Sequence, residues 1–248
     1  MSDGPLAQYR DLAGRIVLIT GGATGIGADM VRAFHGQGSH VTFADIDEAA
    51  GQALAAELSG SSFVRCDVTD TQALRDCIHG AGALDVLVNN AANDMRVALE
   101  RIDEPMWERI VSVNLRHQFF AAQTAGAGMA ARGRGAIINF GSVAPTLRIA
   151  DLDAYSTCKT AVLGMTRQFA RHFGHNGVRV NAIVPGAILT PRQLELWITP
   201  EDEARILADQ CLHRRLVGSD VAEMALFLAS DVSSACTGQE FVVDGGMT

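Results

Sequence analysis

The sequence contains no CxxC spacing, no HExxH pair and no apolar run approaching the roughly 20 residues needed to cross a bilayer. Each absence removes a class of function. Five cysteines, Cys66, Cys77, Cys158, Cys211 and Cys236, are odd in number and scattered, which argues against a disulfide framework or a zinc knuckle. Cys158 reads as a small thiol lining a packed helix. The seven histidines form no helical zinc pair, so no catalytic metal is expected. A net charge of −8 without clustered Lys and Arg argues against nucleic acid as a partner, and the short run His213-Arg214-Arg215 reads as an exposed helix end. Segment 1–15 is polar and lacks the apolar core of a secretion signal, so a cytoplasmic location without a membrane anchor is expected.

What the chain does contain suits one large core. Its 248 residues, 48% hydrophobic and 19% charged, fit a single domain over 1–248. Short β-branched runs alternate with Ala-rich segments whose apolar residues recur at helical spacing, the pattern of repeated βαβ units. Strands are predicted at 16–20, 41–45, 63–66, 86–89, 136–141, 178–184 and 240–243, forming a doubly wound parallel sheet of α/β class. Neither a repeat nor a low-complexity linker interrupts the series. The stretch after Pro185 is longer and more polar than an ordinary strand-to-helix link, so 187–215 is predicted to be a substrate lid.

The first strand runs into Thr20-Gly21-Gly22-Ala23-Thr24-Gly25-Ile26-Gly27, and a helix is predicted at 28–37. In that setting Gly21 can make a tight turn, Gly25 can let backbone approach a pyrophosphate and Gly27 can bring helix against strand. A ligand-free glycine turn is the plainer alternative. The spacing is not that of GxGxxG, and no Lys-Ser/Thr tail follows as in a P-loop. Asp45 closes the second strand, where a carboxylate can accept ribose hydroxyls and repel a 2′-phosphate. With no cation at Gly22, Ala23, Thr24 or Ile46, the expected cofactor is NAD. Asp45 could also cap the next helix, for which Asp47 is the better candidate. Asp67-Val68 and Asn89-Asn90-Ala91 follow the third and fourth strands, at the sheet end where ligands bind, with Asp67 and Val68 placed near an adenine.

Tyr155 and Lys159 are four apart in a predicted helix and so share one face. An unperturbed tyrosine near pKa ~10 is a poor base at neutral pH, so Lys159 is expected to lower it and make Tyr155 a general base. Ser142, after the fifth strand, could hold the reacting oxygen. Asn114 is predicted mid-helix, where asparagine is disfavoured, with a water between it and Lys159 as a proton exit.

Together these residues resemble the short-chain dehydrogenase/reductase family over nearly the whole chain, through Thr20 to Gly27, Asp67, Asn89 to Ala91, Asn114, Ser142, Tyr155, Lys159, Pro185-Gly186 and Thr190. The resemblance implies a one-domain Rossmann-type fold with a seven-stranded sheet, a homotetramer, and a catalytic tetrad of Asn114, Ser142, Tyr155 and Lys159. It also implies that Lys159 binds the nicotinamide ribose and that Ile188 and Thr190 contact the nicotinamide amide. Ala92 departs from the usual glycine, for which a small backbone adjustment is expected.

A narrower resemblance, to bacterial NAD-dependent D-xylose 1-dehydrogenases and related aldose dehydrogenases, is carried by Asn89 to Asp94, Asn114 to His117, Arg192-Gln193, Thr199 to Glu201, Gln210 to Leu212 and Cys236 to Gly238. The expected reaction is oxidation of an aldose at C1 to the aldonolactone. Asn93, Asp94, Ser142, Tyr155, Gln193 and Trp197 are the expected substrate contacts. Asn93 and Asp94 could instead shape a turn, and Trp197 could pack the lid. The same tetrad would serve a secondary-alcohol dehydrogenase of a sugar acid or 3-hydroxyacyl substrate, and a catalytically idle nucleotide-binding scaffold is the alternative of another class.

Overall fold

A run such as Ile16-Val17-Leu18-Ile19 is apolar on both faces, and such a strand is stable only between two covering layers. The computed structural model, which describes residues 7–248, has this arrangement. The first half carries β1 (Ile16–Thr20), α1 (Gly25–Gly36), β2 (His40–Asp45), α2 (Glu48–Glu57), β3 (Ser62–Arg65), α3 (Thr71–Gly80) and β4 (Val86–Asn89). Next come α4 (Glu104–Val111), α5 (His117–Ala131), β5 (Gly135–Phe140), α6 (Ala144–Leu147), α7 (Asp153–Phe173) and β6 (Val178–Pro185). The chain ends with α8 (Pro191–Leu196), α9 (Pro200–Asp209), α10 (Gly218–Ala229) and β7 (Glu240–Val243).

Among the described residues the seven strands are all parallel, in the order β3-β2-β1-β4-β5-β6-β7. Successive side chains of a strand point to opposite faces. Val17, Ile19, Val86, Val88 and Ile138 therefore enter a core with Phe34 of α1 and Leu226 of α10, whereas Leu18, Leu87 and Ile137 enter one with Leu74 of α3 and Met129 of α5. Burying each such aliphatic side chain contributes about 1.5–3 kcal/mol, and both faces of the sheet are used. The strand order reverses between β1 and β4, which opens a crevice at their carboxyl ends. Among the described residues, no helix is long and apolar enough to cross a membrane.

Strand boundaries differ from the sequence expectation by at most one residue, whereas three local readings are corrected. First, α1 begins at Gly25 instead of 28, because a glycine that reads as loop can occupy the first turn, where close approach matters more than helix propensity. Second, Asn114 lies in a π-helical stretch, Ser112–Arg116, in which the His117 N–H reaches back to the Ser112 carbonyl. Third, His213 to Arg215 is not a helix end. It is the return limb of the 187–215 excursion, with Arg214 on Asp220 at 2.7 Å and Arg215 on Glu203, leading to a parallel bridge between Leu216 and Ile188.

Candidate active site

The turn after β1 is clamped from two sides. The Gly21 and Gly22 N–H groups donate to the Ala44 carbonyl, and Asn90 Nδ2 donates to the carbonyls of Thr20 and Gly21 at 3.1 and 2.8 Å. Gly21 has φ +65°, and a Cβ there would lie 2.7 Å from Ala91 Cα; on Gly27 it would lie 1.8 Å from the Gly21 carbonyl oxygen. Only glycine fits either place. Thr24 precedes α1 without a side-chain cap, so the first N–H groups of the helix face the crevice as ready anion donors. Residues and backbone thus fit a dinucleotide pyrophosphate.

Around this turn, Asp45 accepts from the N–H groups of Ala23 and Asp47 at 3.0 and 3.1 Å, and Asp47 caps α2 through Ala50. Ile46 beside it is exposed. Asp67 accepts from the backbone and hydroxyl of Thr69, while Val68 is buried. The Asn89 carboxamide turns into the sheet instead, donating to Asn139 Oδ1 at 2.9 Å, so only its backbone borders the crevice. Asn90, which the sequence placed with Asn89 and Ala91 at the ligand end of the sheet without a role of its own, clamps the turn. Ala92 keeps a negative φ, so the absence of glycine there imposes no strain.

Behind β6, Val143 N–H donates to the Pro185 carbonyl, which ties together the loops after β5 and β6. A Cβ on Gly186 would lie 2.7 Å from Asp244 Cα, so that position is also packed too tightly for a side chain. Ile188 is buried in the core, with its N–H donating to the Gly186 carbonyl and its own carbonyl accepting from the Thr190 N–H, whereas the Thr190 methyl lies beside Gly25 and its hydroxyl caps α8.

Helix α7 presents Tyr155 and Lys159 toward the Ser142 loop. Ser142 hydrogen-bonds the Tyr155 hydroxyl, and its Oγ accepts from the Ala144 N–H at 3.1 Å. Lys159 is fully buried, donates to the Phe140 carbonyl at 2.9 Å, and holds its ammonium 5.5 Å from the Tyr155 ring centre. Burial pushes the Tyr155 phenol up to about 12, only partly opposed by the Ser142 hydrogen bond, and pulls Lys159 down to about 8. The Lys159 ammonium lies over the Tyr155 ring and on the Phe140 carbonyl rather than on the phenol hydroxyl, and, contrary to the sequence expectation, it is not among the groups that shift the phenol here. Burial likewise pushes the Cys158 thiol up, which leaves it poorly nucleophilic.

Asn114 is fully buried, and its carboxamide grips one backbone unit. Oδ1 accepts from the Asn93 N–H at 2.9 Å, and Nδ2 donates to the Asn93 and Ile110 carbonyls at 3.0 Å each. Asn93 uses its own Oδ1 to accept from the Met95 N–H, as a turn-forming residue does. Asp94 holds Arg192 at 2.7 Å and Gln193 at 2.6 Å, joining the loop after β4 to α8. Trp197 stacks under the Arg96 guanidinium at 5.5 Å, with its indole N–H buried and without a hydrogen-bond partner among the described residues. His117 and Gln118 are both fully buried beside Asn114; the sequence reading quoted His117 only within the segment Asn114 to His117 and gave neither residue a role.

A family model described as Enoyl-(Acyl carrier protein) reductase matches residues 21–248. A solved short chain dehydrogenase/reductase family protein superposes with a TM-score of 0.88 at 34% identity, over 95% of this chain and 98% of that one. The chain belongs to the short-chain dehydrogenase/reductase family. Among curated relatives, this short-chain dehydrogenase is 46% identical over 244 residues to a D-xylose 1-dehydrogenase of Caulobacter vibrioides, covering 97% of this chain and 98% of the relative. It is 43% identical over 252 residues to a protein of Rhizobium meliloti named a probable galactose dehydrogenase, covering 98% of each. As a short-chain dehydrogenase it is an oxidoreductase that uses a nicotinamide cofactor.

Proposed function

We propose that the enzyme oxidises an aldose, a pentose or related sugar, at C1 to the aldonolactone with NAD as hydride acceptor. The observation that carries this reading is the Ser142–Tyr155–Lys159 cluster at the crevice, with the Asp94 carboxylate beside it. Gly21, Thr24, Gly25, Ile26 and Gly27 would hold the pyrophosphate, and Asp45 the adenosine ribose. Ile46 is 65% exposed and offers an apolar face to an adenine, with Asp67 and Val68 opposite. Asn89 and Ala91 would border the cofactor through their backbones, and Pro185, Gly186, Ile188 and Thr190 would line the nicotinamide. Each Asp45 oxygen already accepts one N–H but retains a lone pair for a ribose hydroxyl, whereas a 2′-phosphate would meet its charge. That charge supports NAD over NADP.

Bound there, the oxidised nicotinamide supplies the hydride acceptor and a positive charge that favours phenolate. Ser142 orients the C1 hydroxyl, and Tyr155 takes its proton as the C1 hydrogen leaves with its electron pair. Lys159 stabilises the phenolate and binds the nicotinamide ribose, while Asn114 fixes the Asn93 backbone at the rim. Asp94, Asn93, Gln193 and Trp197 would meet the remaining sugar hydroxyls, with 187–215 as the lid. Asp94 lies close enough to act electrostatically on both Tyr155 and Lys159, which supports a polar substrate. Phe119 is 40% exposed on α5 and contacts Phe169 of α7, an apolar face suited to the twofold contacts of a homotetramer.

A panel of D-xylose, L-arabinose, D-galactose and L-fucose with NAD and NADP, run beside sugar acids and 3-hydroxybutyrate, tests the reading. NADH formation with at least one aldose is expected, with a clear NAD preference that Asp45→Ala erodes. Turnover confined to hydroxy acids would move the substrate to the secondary-alcohol alternative. Comparable kcat/KM with both cofactors would contradict the role of Asp45.

A further inference from the structure

The Phe140 carbonyl that receives the Lys159 ammonium lies just past the end of the β4 ladder. Strand β4 pairs with β5 only as far as Asn89 and Asn139, so the next peptide group of β5 has no backbone partner from β4. Gln118 takes that place. Its Oε1 accepts from the Phe140 N–H at 3.3 Å, and its Nε2 donates to the Phe140 carbonyl, also at 3.3 Å. The same Nε2 donates to the Asn114 carbonyl at 3.3 Å, which uses both of its hydrogens. Gln118 is fully buried, so these bonds are shielded from competing water.

We infer that Gln118 is a positioning residue for the proton-transfer step, fixing the Phe140 carbonyl on which Lys159 rests. The Lys159 stem spans from α7 to β5, and its ammonium has the Phe140 oxygen as its acceptor within the sheet. Without the Gln118 amide, the peptide group of that carbonyl is held only from the β6 side, by the Gly141 N–H on the Ile183 carbonyl at 2.8 Å, and it can tilt and draw the ammonium away from the Tyr155 ring. The π-helical stretch before α5 makes the arrangement possible, because the altered register turns Asn114, His117 and Gln118 together toward the sheet. Facing Lys159 are Tyr155 and Cys158 of its own helix, His117 of α5 and Asp94 beyond β4. Gln118 adds a neutral amide to this group, so its influence acts through geometry.

The inference rests on the reading of Lys159 as the cation that serves Tyr155 and the nicotinamide ribose. A double-mutant cycle tests it, with Gln118→Met and Gln118→Glu each made in the parent and in a Lys159→Met background. NADH affinity is read by nucleotide fluorescence without any sugar, and kcat and its pH profile with the best aldose. In the parent, Gln118→Met is expected to weaken NADH binding by about threefold to tenfold and lower kcat about tenfold, with KM for the sugar little changed. In the Lys159→Met background both effects should vanish. Gln118→Glu keeps the acceptor for Phe140 N–H and adds a charge, so the acid limb of its kcat profile should move to higher pH. Equal losses with and without Lys159 would overturn the proposal, as would a lower Tm with NADH affinity unchanged. If Gln118→Met does not fold, the Gln118→Glu arm of the NADH cycle decides by the same criteria. A parent that oxidises no sugar would count against the proposed reaction alone, because NADH affinity is measured without substrate.

Discussion

Lowering the pH from 7 to 5 places a defined load on the buried imidazole of His117. Its Nε2 donates to the Ala91 carbonyl at 2.9 Å, and the Val113 backbone beside the ring, outside good hydrogen-bond geometry for Nδ1, also favours the proton; neither offsets the burial. Burial, with the Lys159 ammonium second, pulls the group down from 6.5 to about 3. In the unfolded chain the ring takes up a proton below about 6.5, whereas the fold refuses it until about pH 3. Stability is therefore full above that window and falls as the pH drops through it. For one such group the loss between pH 7 and pH 5 is about 2 kcal/mol. Urea titrations of the parent and of His117→Gln isolate it, because other titrating groups are common to both. The parent's advantage over the variant should shrink by that amount at pH 5. An advantage that stays constant from pH 7 to 5 would refute a neutral, buried His117.

Three further outcomes follow from the site. Gly27→Ala should abolish NADH binding and lower stability by about 1–3 kcal/mol, because its Cβ would meet the Gly21 carbonyl at 1.8 Å, and near-normal affinity by fluorescence titration would contradict the clamped turn. Tyr155→Phe should lose nearly all turnover while keeping NADH affinity in the same titration; substantial residual activity would remove Tyr155 from the proton step. Asp94→Ala frees Arg192 and Gln193, so tryptic cleavage after Arg192 should quicken and kcat/KM for the sugar should fall roughly tenfold or more, and unchanged values would reduce the latch to a surface contact.

The parts of this molecule that were legible from sequence are those fixed by local chemistry. Strands buried on both faces read as unbroken apolar runs, and Gly21 and Gly27 read as a tight turn and a close helix contact because φ and contact require glycine there, although Gly25 to Gly27 already belong to α1. What failed depends on direction or distance. Asn89 and Asn90 are adjacent, but the pleat sends one into the sheet and the other onto the glycine turn, and composition does not reveal which. His117 and Gln118 fell inside an apolar helical pattern. Their polarity three and four residues after Asn114 was the available signal, hidden by the π-helical shift in register. The spacing of Tyr155 and Lys159 placed them on one face but could not report the burial that raises the phenol. The contact of Asp94 with Arg192 and Gln193 joins segments nearly a hundred residues apart, and no local pattern announces it.

Oxidation at C1 is most directly tested with an aldose deuterated at that carbon, followed by mass spectrometry of the reduced cofactor. The expected result is NADH carrying the deuterium, with none formed by Tyr155→Phe. Unlabelled NADH produced from the same sugar would show that hydrogen leaves from another carbon, and would contradict the assignment of an aldose 1-dehydrogenase.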